Sequence, residues 1–296
     1  MDDRLPERVL VTGADGKIGR AVVAELAARG VDVVALSIEW TAPSAASRVV
    51  TGDATVESDV AEALDGVTAV VHLAAIAHPS LADPYTVYRT NTDATFNVLA
   101  QAGQRGIRRA VIASSINAFG VPMNHHDITP AYYPIDEEIP IALDDWYSLS
   151  KRSDELTAEM AASRWGMDIV AIRYPFVGLP HEVHGQSRLE HEQLPREGWS
   201  YLDLRDAVDV VLKALVAPVR GAVVIGVSAA ETYRPEPTAE LLDTYAPSVP
   251  RRRELRGREA LIDTTRAKEL LGFEPRHSAA DRADDRPAAS TVGGAR

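Results

Sequence analysis

A tyrosine and a lysine four residues apart, in Tyr147-Ser148-Leu149-Ser150-Lys151, are the first residues in this chain whose types and spacing suggest chemistry. On a helix that spacing projects the phenol and the ammonium from one face. A neighbouring cation favours the phenolate, as a general acid/base working near neutrality requires. An isolated pair of this kind equally describes an exposed tyrosine above a solvated lysine. The run Ser114-Ser115-Ile116-Asn117-Ala118-Phe119-Gly120 changes the balance, because it follows an apolar strand pattern and so falls at the carboxyl edge of a sheet, where α/β folds bind ligands. A further signal is Thr12-Gly13-Ala14-Asp15-Gly16-Lys17-Ile18-Gly19, between a strand pattern and a helix pattern. Glycines there let backbone N–H groups approach a pyrophosphate at the positive end of the helix. The spacing G-x-x-G-x-x-G departs from the G-x-G-x-x-G dinucleotide fingerprint, and the strand-to-helix context supports a nucleotide site.

Such residues need a scaffold, and up to about residue 175 short β-branched runs alternate with longer helical patterns. Strands are predicted at 8–12, 31–36, 48–51, 68–73, 108–113 and 168–173, and helices at 18–29, 58–64, 84–102 and 145–165. Over 175–199 the periodicity fails, and a mobile loop is expected. A helix at 206–216, a buried strand at 222–227 and a short helix at 264–271 follow. The expected fold is α/β, a Rossmann-type doubly wound parallel sheet with a small C-terminal substrate-binding subdomain. Its dinucleotide-binding core would take 1–175, with 200–227 returning to it. Segments 176–199 and 228–276 would form the substrate-binding lobe. Residues 277–296 have almost no apolar anchors and are expected to be a disordered tail.

Composition narrows the function. The chain has 296 residues, 46% of them apolar and 25% charged, so it can bury one large core or two smaller ones. A net charge of −12 argues against nucleic acid as a partner. The absence of cysteine excludes disulfides, Fe–S clusters and thiolate nucleophiles. No apolar stretch approaches a bilayer span and the acidic start does not resemble a signal peptide, so a cytoplasmic protein without a membrane partner is expected. No metal site is expected: His181, His184 and His191 lie near Glu182, Glu190 and Glu192, but His181 and His184 are three apart rather than the four of a zincin helix. Arg251-Arg252-Arg253 reads as a solvated face, and His125-His126 as a surface loop.

T-G-x-x-G-x-x-G, S-S-x-x-x-[YF]-G and Y-x-x-x-K, in this order, resemble the extended short-chain dehydrogenase/reductases, the NAD-dependent epimerase/dehydratase family. Gly52-Asp53, His72-Leu73-Ala74-Ala75, Asn91, Tyr174-Pro175-Phe176-Val177, Tyr201 to Asp206 and Asp263 to Pro275 extend the likeness over nearly the whole chain before the tail. The resemblance implies hydride transfer at a carbinol or carbonyl carbon, with Tyr147 as acid/base, Lys151 supporting it and holding the nicotinamide ribose, and Ser115 hydrogen-bonding the substrate oxygen. It implies cofactor contacts from Gly13, Asp15, Gly16, Lys17, Ile18 and Gly19. Ser37 would stand by the adenosine ribose, Asp53 and Ala54 by the adenine, Leu73, Ala74 and Ala75 along the fourth strand's end, and Asn91 at the family's helix asparagine. Tyr174, Pro175 and Val177 would line the nicotinamide. For Ser114, cofactor contact and a purely structural strand-end role are both open. Many such relatives are dimers, so a homodimer is expected.

Departures from the family pattern bear on the substrate. Ile116-Asn117 stands where dehydratases of nucleotide sugars carry Asp-Glu, and Phe176 where epimerases commonly carry Asn. Only 178–199 is available to grip a nucleotide before the late Asp motif. These differences favour a sugar, sugar acid or similar small polyol, with a nucleotide-sugar 4-epimerase as the alternative and a catalytically silent NAD(P)-sensing protein, or a ligand-free module, as readings of another class. Ser37 occupies the place of the ribose-binding acid, and no arginine lies between 37 and 47 to meet a 2′-phosphate. NAD is therefore expected, with NADP not excluded.

Overall fold

The computed structural model describes residues 4–186 and 195–279. The elements run β1 (Arg8–Thr12), α1 (Lys17–Ala28), β2 (Asp32–Ser37), β3 (Arg48–Thr51), α2 (Glu57–Ala63), β4 (Ala69–His72), α3 (Pro84–Gln104) and β5 (Arg109–Ser115). A 3₁₀ turn at Ile116–Phe119 leads to α4 (Trp146–Trp165), β6 (Asp168–Tyr174), β7 (Phe176–Gly178) and α5 (Pro180–Gln186). Then come β8 (Tyr201–Asp203), α6 (Leu204–Val216), β9 (Ala222–Gly226), α7 (Thr238–Tyr245) and α8 (Thr265–Leu271).

Seven strands pair in parallel in the order β3-β2-β1-β4-β5-β6-β9. The order reverses between β1 and β4, which opens a crevice at the strands' carboxyl ends. The central strands read as unbroken apolar runs because both faces of a parallel sheet are covered; all four residues of β4 are buried. One face packs on α1, α6 and α8 through Val22, Val23, Leu26, Val211, Leu215 and Leu271. The other packs on α2, α3 and α4 through Val60, Ala94, Val98, Ala158 and Ala161.

Caps set where the helices start. Asp83 accepts from the Tyr85 and Thr86 amides ahead of α3, with Pro84 in its first turn. Asp145 accepts from the Ser148 amide ahead of α4, and Gly166, at φ 64°, ends that helix. Asp203 caps α6, which begins two residues before the predicted start.

A third cluster forms the C-terminal lobe, and it draws on Ile116, Phe119, Tyr132, Tyr133 and Ile135 as well as Trp199, Tyr233, Leu242 and Leu261. The segment expected to be a mobile loop holds β7 and α5, with β7 pairing in parallel with β8. Elements of three and seven residues are too short to establish a period, and a loop-like composition hides them. Helix α7 lies hidden in a polar, proline-spaced stretch for the same reason. The predicted tail begins too early. The amides of Arg276 and His277 donate to Asp206 Oδ2, His277 Nδ1 sits 2.7 Å from Asp206 Oδ1, and the Ala279 amide donates to the Tyr201 hydroxyl. Polar anchors hold this stretch where apolar ones are lacking. Residues 280–296 of that tail, and His191, Glu190 and Glu192, lie outside the described residues.

Candidate active site

The β1–α1 turn lies directly over the end of β4. A Cβ on Gly13, which has φ +64°, would meet the Ala74 amide nitrogen at 2.7 Å, and one on Gly19 would meet the Gly13 carbonyl oxygen at 2.2 Å. Chain packing alone therefore demands two of the three glycines. Gly16 differs: beyond its chain neighbours, a Cβ there would meet only the Gly13 carbonyl, at 3.1 Å. Gly16 caps α1 without a side chain, and the first turn carries no acidic residue. Its amides lie open to an anion. These features fit the pyrophosphate of a dinucleotide.

The residues around the turn have definite partners. Asp15 accepts from the Thr41 amide and hydroxyl and pairs with Arg20 at 2.6 Å, so its carboxyl is held below the ordinary range despite the opposing desolvation. Ser37 is buried at the end of β2. Asp53 Oδ1 accepts from the Thr55 amide and hydroxyl, ordering the start of α2, and Ala54 is buried beside it. Ile18 packs against the α1 core layer. Lys17 reaches across to the lobe, where Nζ donates to the Val177 carbonyl at 3.3 Å and pairs with Glu182 of α5 at 2.8 Å.

Leu73 and Ala74 donate their amides to Thr12 Oγ1, while Ala75 stands half-buried after them. Asn91 braces the same loop: Oδ1 accepts from the Ile76 amide at 2.7 Å, and Nδ2 donates to the Ile76 carbonyl and the Ser150 hydroxyl. Its side chain thus ties β4's end to α4. Tyr174 points into the core, where its hydroxyl donates to the Ala207 carbonyl at 3.4 Å and burial raises its pKa. Any part of Tyr174 in lining the site falls to its backbone. Pro175 is buried behind it, and the Phe176 ring lies 5.5 Å from the Lys17 ammonium.

Tyr147, Lys151 and Ser115 are all buried, on α4 and at the end of β5. Lys151 Nζ donates to the Ala113 carbonyl and to Asp154 Oδ2, each at 3.1 Å. Burial disfavours this ammonium, but Asp154 and then Tyr147 outweigh it and leave the lysine pKa above its ordinary value. Ser115 Oγ accepts from the amide and the side-chain Nδ2 of Asn117, both at 3.1 Å, which leaves its own proton to donate. Its neighbour Ser114 is engaged elsewhere: it donates to Glu155 Oε1 at 2.7 Å. Glu155, fully buried, also accepts from Arg173 through Nε and Nη2 and from Arg152. Burial would raise its carboxyl; Arg173, Ser114 and Arg152 prevail and hold it low. Ser114 therefore belongs, by its hydroxyl, to the network that anchors α4 on β5 and β6.

A second buried network runs beneath the crevice. Thr12 Oγ1 lies 2.7 Å from His72 Nδ1, and His72 Nε2 lies 3.1 Å from Thr95 Oγ1. Thr12 Oγ1 already accepts from two amides, so its hydroxyl proton points to Nδ1 and the imidazole proton is assigned to Nε2. Burial, with Lys151 nearby, lowers the His72 pKa to about 3, which keeps the ring neutral. Thr95 in turn bears on the Asp154 carboxylate. The sequence reading found neither Thr95, Asp154 nor Glu155. Two of them stand three and four residues after Lys151 on one helix, and that spacing was the available signal.

Among the described residues no group of three or more His, Cys, Asp or Glu side chains could hold a metal ion, and no helix is long and apolar enough to cross a membrane. The model of the NAD-dependent epimerase/dehydratase family matches residues 9–226. The chain is 27% identical over 232 residues to the UDP-glucose 4-epimerase of Vibrio cholerae, covering 73% of this chain and 69% of that protein. It is 31% identical over 192 residues to the L-arabinose 1-dehydrogenase (NAD(P)(+)) of Haloferax volcanii, covering 63% of this chain and 72% of that protein. A short-chain dehydrogenase/reductase superfamily protein from Agrobacterium tumefaciens, solved with bound NAD, superposes with a TM-score of 0.69 at 23% identity over 92% of this chain and 93% of that one.

Proposed function

From this chain's membership of the NAD-dependent epimerase/dehydratase family, the extended short-chain dehydrogenase/reductases, we propose that it transfers a hydride at a hydroxyl or carbonyl carbon of a sugar, sugar acid or similar small polyol. NAD is its cofactor and, when bound, accepts or returns that hydride at the nicotinamide ring. The observation that carries the reading is the burial of Tyr147 beside a charged Lys151, at the same strand end that presents Ser115 with its proton free to donate.

In the oxidative direction Tyr147 takes the proton from the substrate hydroxyl as the hydride leaves its carbon, and in reduction it returns one to the carbonyl oxygen. Ser115, fixed by Asn117, donates to that same oxygen and orients it. Lys151 holds the nicotinamide ribose, while the open amides at the start of α1 receive the pyrophosphate. Phe176 offers an apolar ring where a diphosphate or uracil would require hydrogen bonds, and an unmet polar group in a pocket forfeits affinity. The likeness to the L-arabinose dehydrogenase of H. volcanii supports the small-substrate reading. The likeness to the V. cholerae epimerase supports the second reading, 4-epimerisation of a nucleotide sugar.

The test is a panel of aldoses, uronic acids and polyols incubated with NAD⁺ and followed by nicotinamide absorbance, beside UDP-hexoses followed by product analysis. Reduction of NAD⁺ with a free sugar or sugar acid is expected. Efficient 4-epimerisation of a UDP-hexose, with no turnover of free sugars, would replace the first reading by the second. A protein that binds NAD⁺ and turns over nothing would be the catalytically silent sensor instead.

A further inference from the structure

Lys151 is buried where an ammonium is costly, and the carboxylate beside it is one that the acid/base chemistry of Tyr147 does not call for. Asp154, one helical turn on, meets Nζ at 3.1 Å, with the two side chains 5% and 2% exposed. A second N–H goes to the Ala113 carbonyl, and the third has no acceptor among the described residues. We propose that Asp154 is a positioning residue of this site: it keeps the Lys151 ammonium charged and turned so that its third N–H stays free for the cofactor ribose. The proposal deepens the function given above and rests on it for the use of Lys151, though not for the charge of Lys151.

Stability does not account for the carboxylate. Buried ion pairs are commonly replaced by apolar residues of like volume without loss, and Ala158 and Ala161 on the same helix fill the core layer beneath α4 without any charge. The groups that face Lys151 are few. From α4 they are Tyr147, Asp154 and Glu155, and from β4 His72, while Thr95 of α3 bears on the carboxylate. Glu155 is already held by Arg173 and Arg152, and His72 is neutral. Asp154 is therefore the countercharge. Without it, only Tyr147 and Glu155 oppose burial, and the proton affinity of Lys151 falls.

Lysine enriched with ¹³C at Cε reports this ionisation directly by NMR, in the apo protein and without any substrate. The chain has only Lys17, Lys151, Lys213 and Lys268, so Lys151→Ala identifies the signal of interest. In the wild type the Lys151 resonance should keep its ammonium position up to the alkaline limit of folding. In Asp154→Asn it should titrate at least about one pH unit lower, a tenfold change in proton affinity, and Asp154→Glu, which keeps the charge, should stay near the wild type. Asp154→Ala gives the same reading if the Asn variant does not fold. Calorimetric titration with NAD⁺ at neutral and alkaline pH should show the Asn variant losing affinity as pH rises, severalfold more than the wild type. A Lys151 resonance that titrates alike in wild type and variants overturns the proposal. A wild type that binds no NAD⁺ overturns the proposed function instead, while the NMR titration still decides the role of Asp154.

Discussion

At the scale of single residues, the buried Tyr147 ring can be kept while its proton is removed. Tyr147→Phe should bind NAD⁺ as the wild type does and lose about 10²- to 10⁴-fold in turnover, the usual contribution of a general acid/base. Retention of near wild-type rates on an identified substrate would remove Tyr147 from its role. Lys151→Ala should weaken both NAD⁺ affinity and rate, since in the proposed function it serves ribose and phenol together. The cofactor preference is a second question for individual side chains. No arginine stands between residues 37 and 47 in sequence, but Arg20 of α1 reaches the loop there, contacting Thr41, and is neutralised by Asp15. NAD should therefore bind more tightly than NADP. Ser37→Asp should widen the gap by repelling a 2′-phosphate, and Asp15→Asn should narrow it by releasing Arg20. Isothermal titration with both cofactors decides it, and NADP binding at least as tightly as NAD to the wild type would refute the preference.

Among the elements, the β1–α1 turn makes a distinction that no sequence motif contains. Gly13 needs both its positive φ and the absence of a Cβ against Ala74 at 2.7 Å, whereas Gly16 has an ordinary φ of −70° and a Cβ there would meet only the Gly13 carbonyl oxygen, at 3.1 Å. Gly13→Ala should cost about 1–3 kcal/mol or more in stability through backbone strain and collision. Gly16→Ala, with one tight 3.1 Å contact and no backbone strain, should lower the thermal midpoint much less than Gly13→Ala and weaken NAD⁺ binding. Equal effects of the two substitutions on melting and on affinity would show that Gly16 is a packing residue too. The longer elements were legible because twelve- to twenty-one-residue helices repeat their apolar stripe several times, so that α1, α3 and α4 lie within two residues of their predicted bounds. Neither β7, β8 nor α5 repeats anything.

On the scale of the whole molecule, His72 links stability to pH. Its folded pKa, lowered to about 3, lies below the unfolded value of 6.5, so the unfolded chain binds the extra proton between those limits. The stability this ring contributes is complete above pH 6.5 and is lost as pH falls toward 3, on the order of 5 kcal/mol over the window at about 1.4 kcal/mol per unit. His72→Gln, a neutral side chain that can both donate and accept, should flatten denaturant-derived stability against pH across that range. An unchanged slope would mean that His72 is not the group responsible. Tyr88 and Phe96 of α3 and Leu149, Leu156 and Met160 of α4 stand exposed on two adjoining helices. The expected homodimer would bury these side chains, and Leu156→Arg should then shift sedimentation from dimer toward monomer; a monomeric wild type would end that expectation.

The order of strands and helices, the glycine turn and the pairing of Tyr147 with Lys151 were set by the sequence alone, because each depends on residues within one helical turn or one strand of each other. Ser114 and Ser115 show where that ends: adjacent and identical in type, they point to different partners, and only the approach of Glu155, 41 residues on, engages one and leaves the other free to donate. Thr12 and His72 meet across 60 residues because β1 and β4 are neighbours at the reversal of the sheet. Arg20 reaches Thr41, and Lys17 reaches Glu182, by the same kind of encounter. Periodicity records which face of an element is buried, but not which element lies against it. The charge state and aim of each group in this site were therefore decided by the tertiary structure.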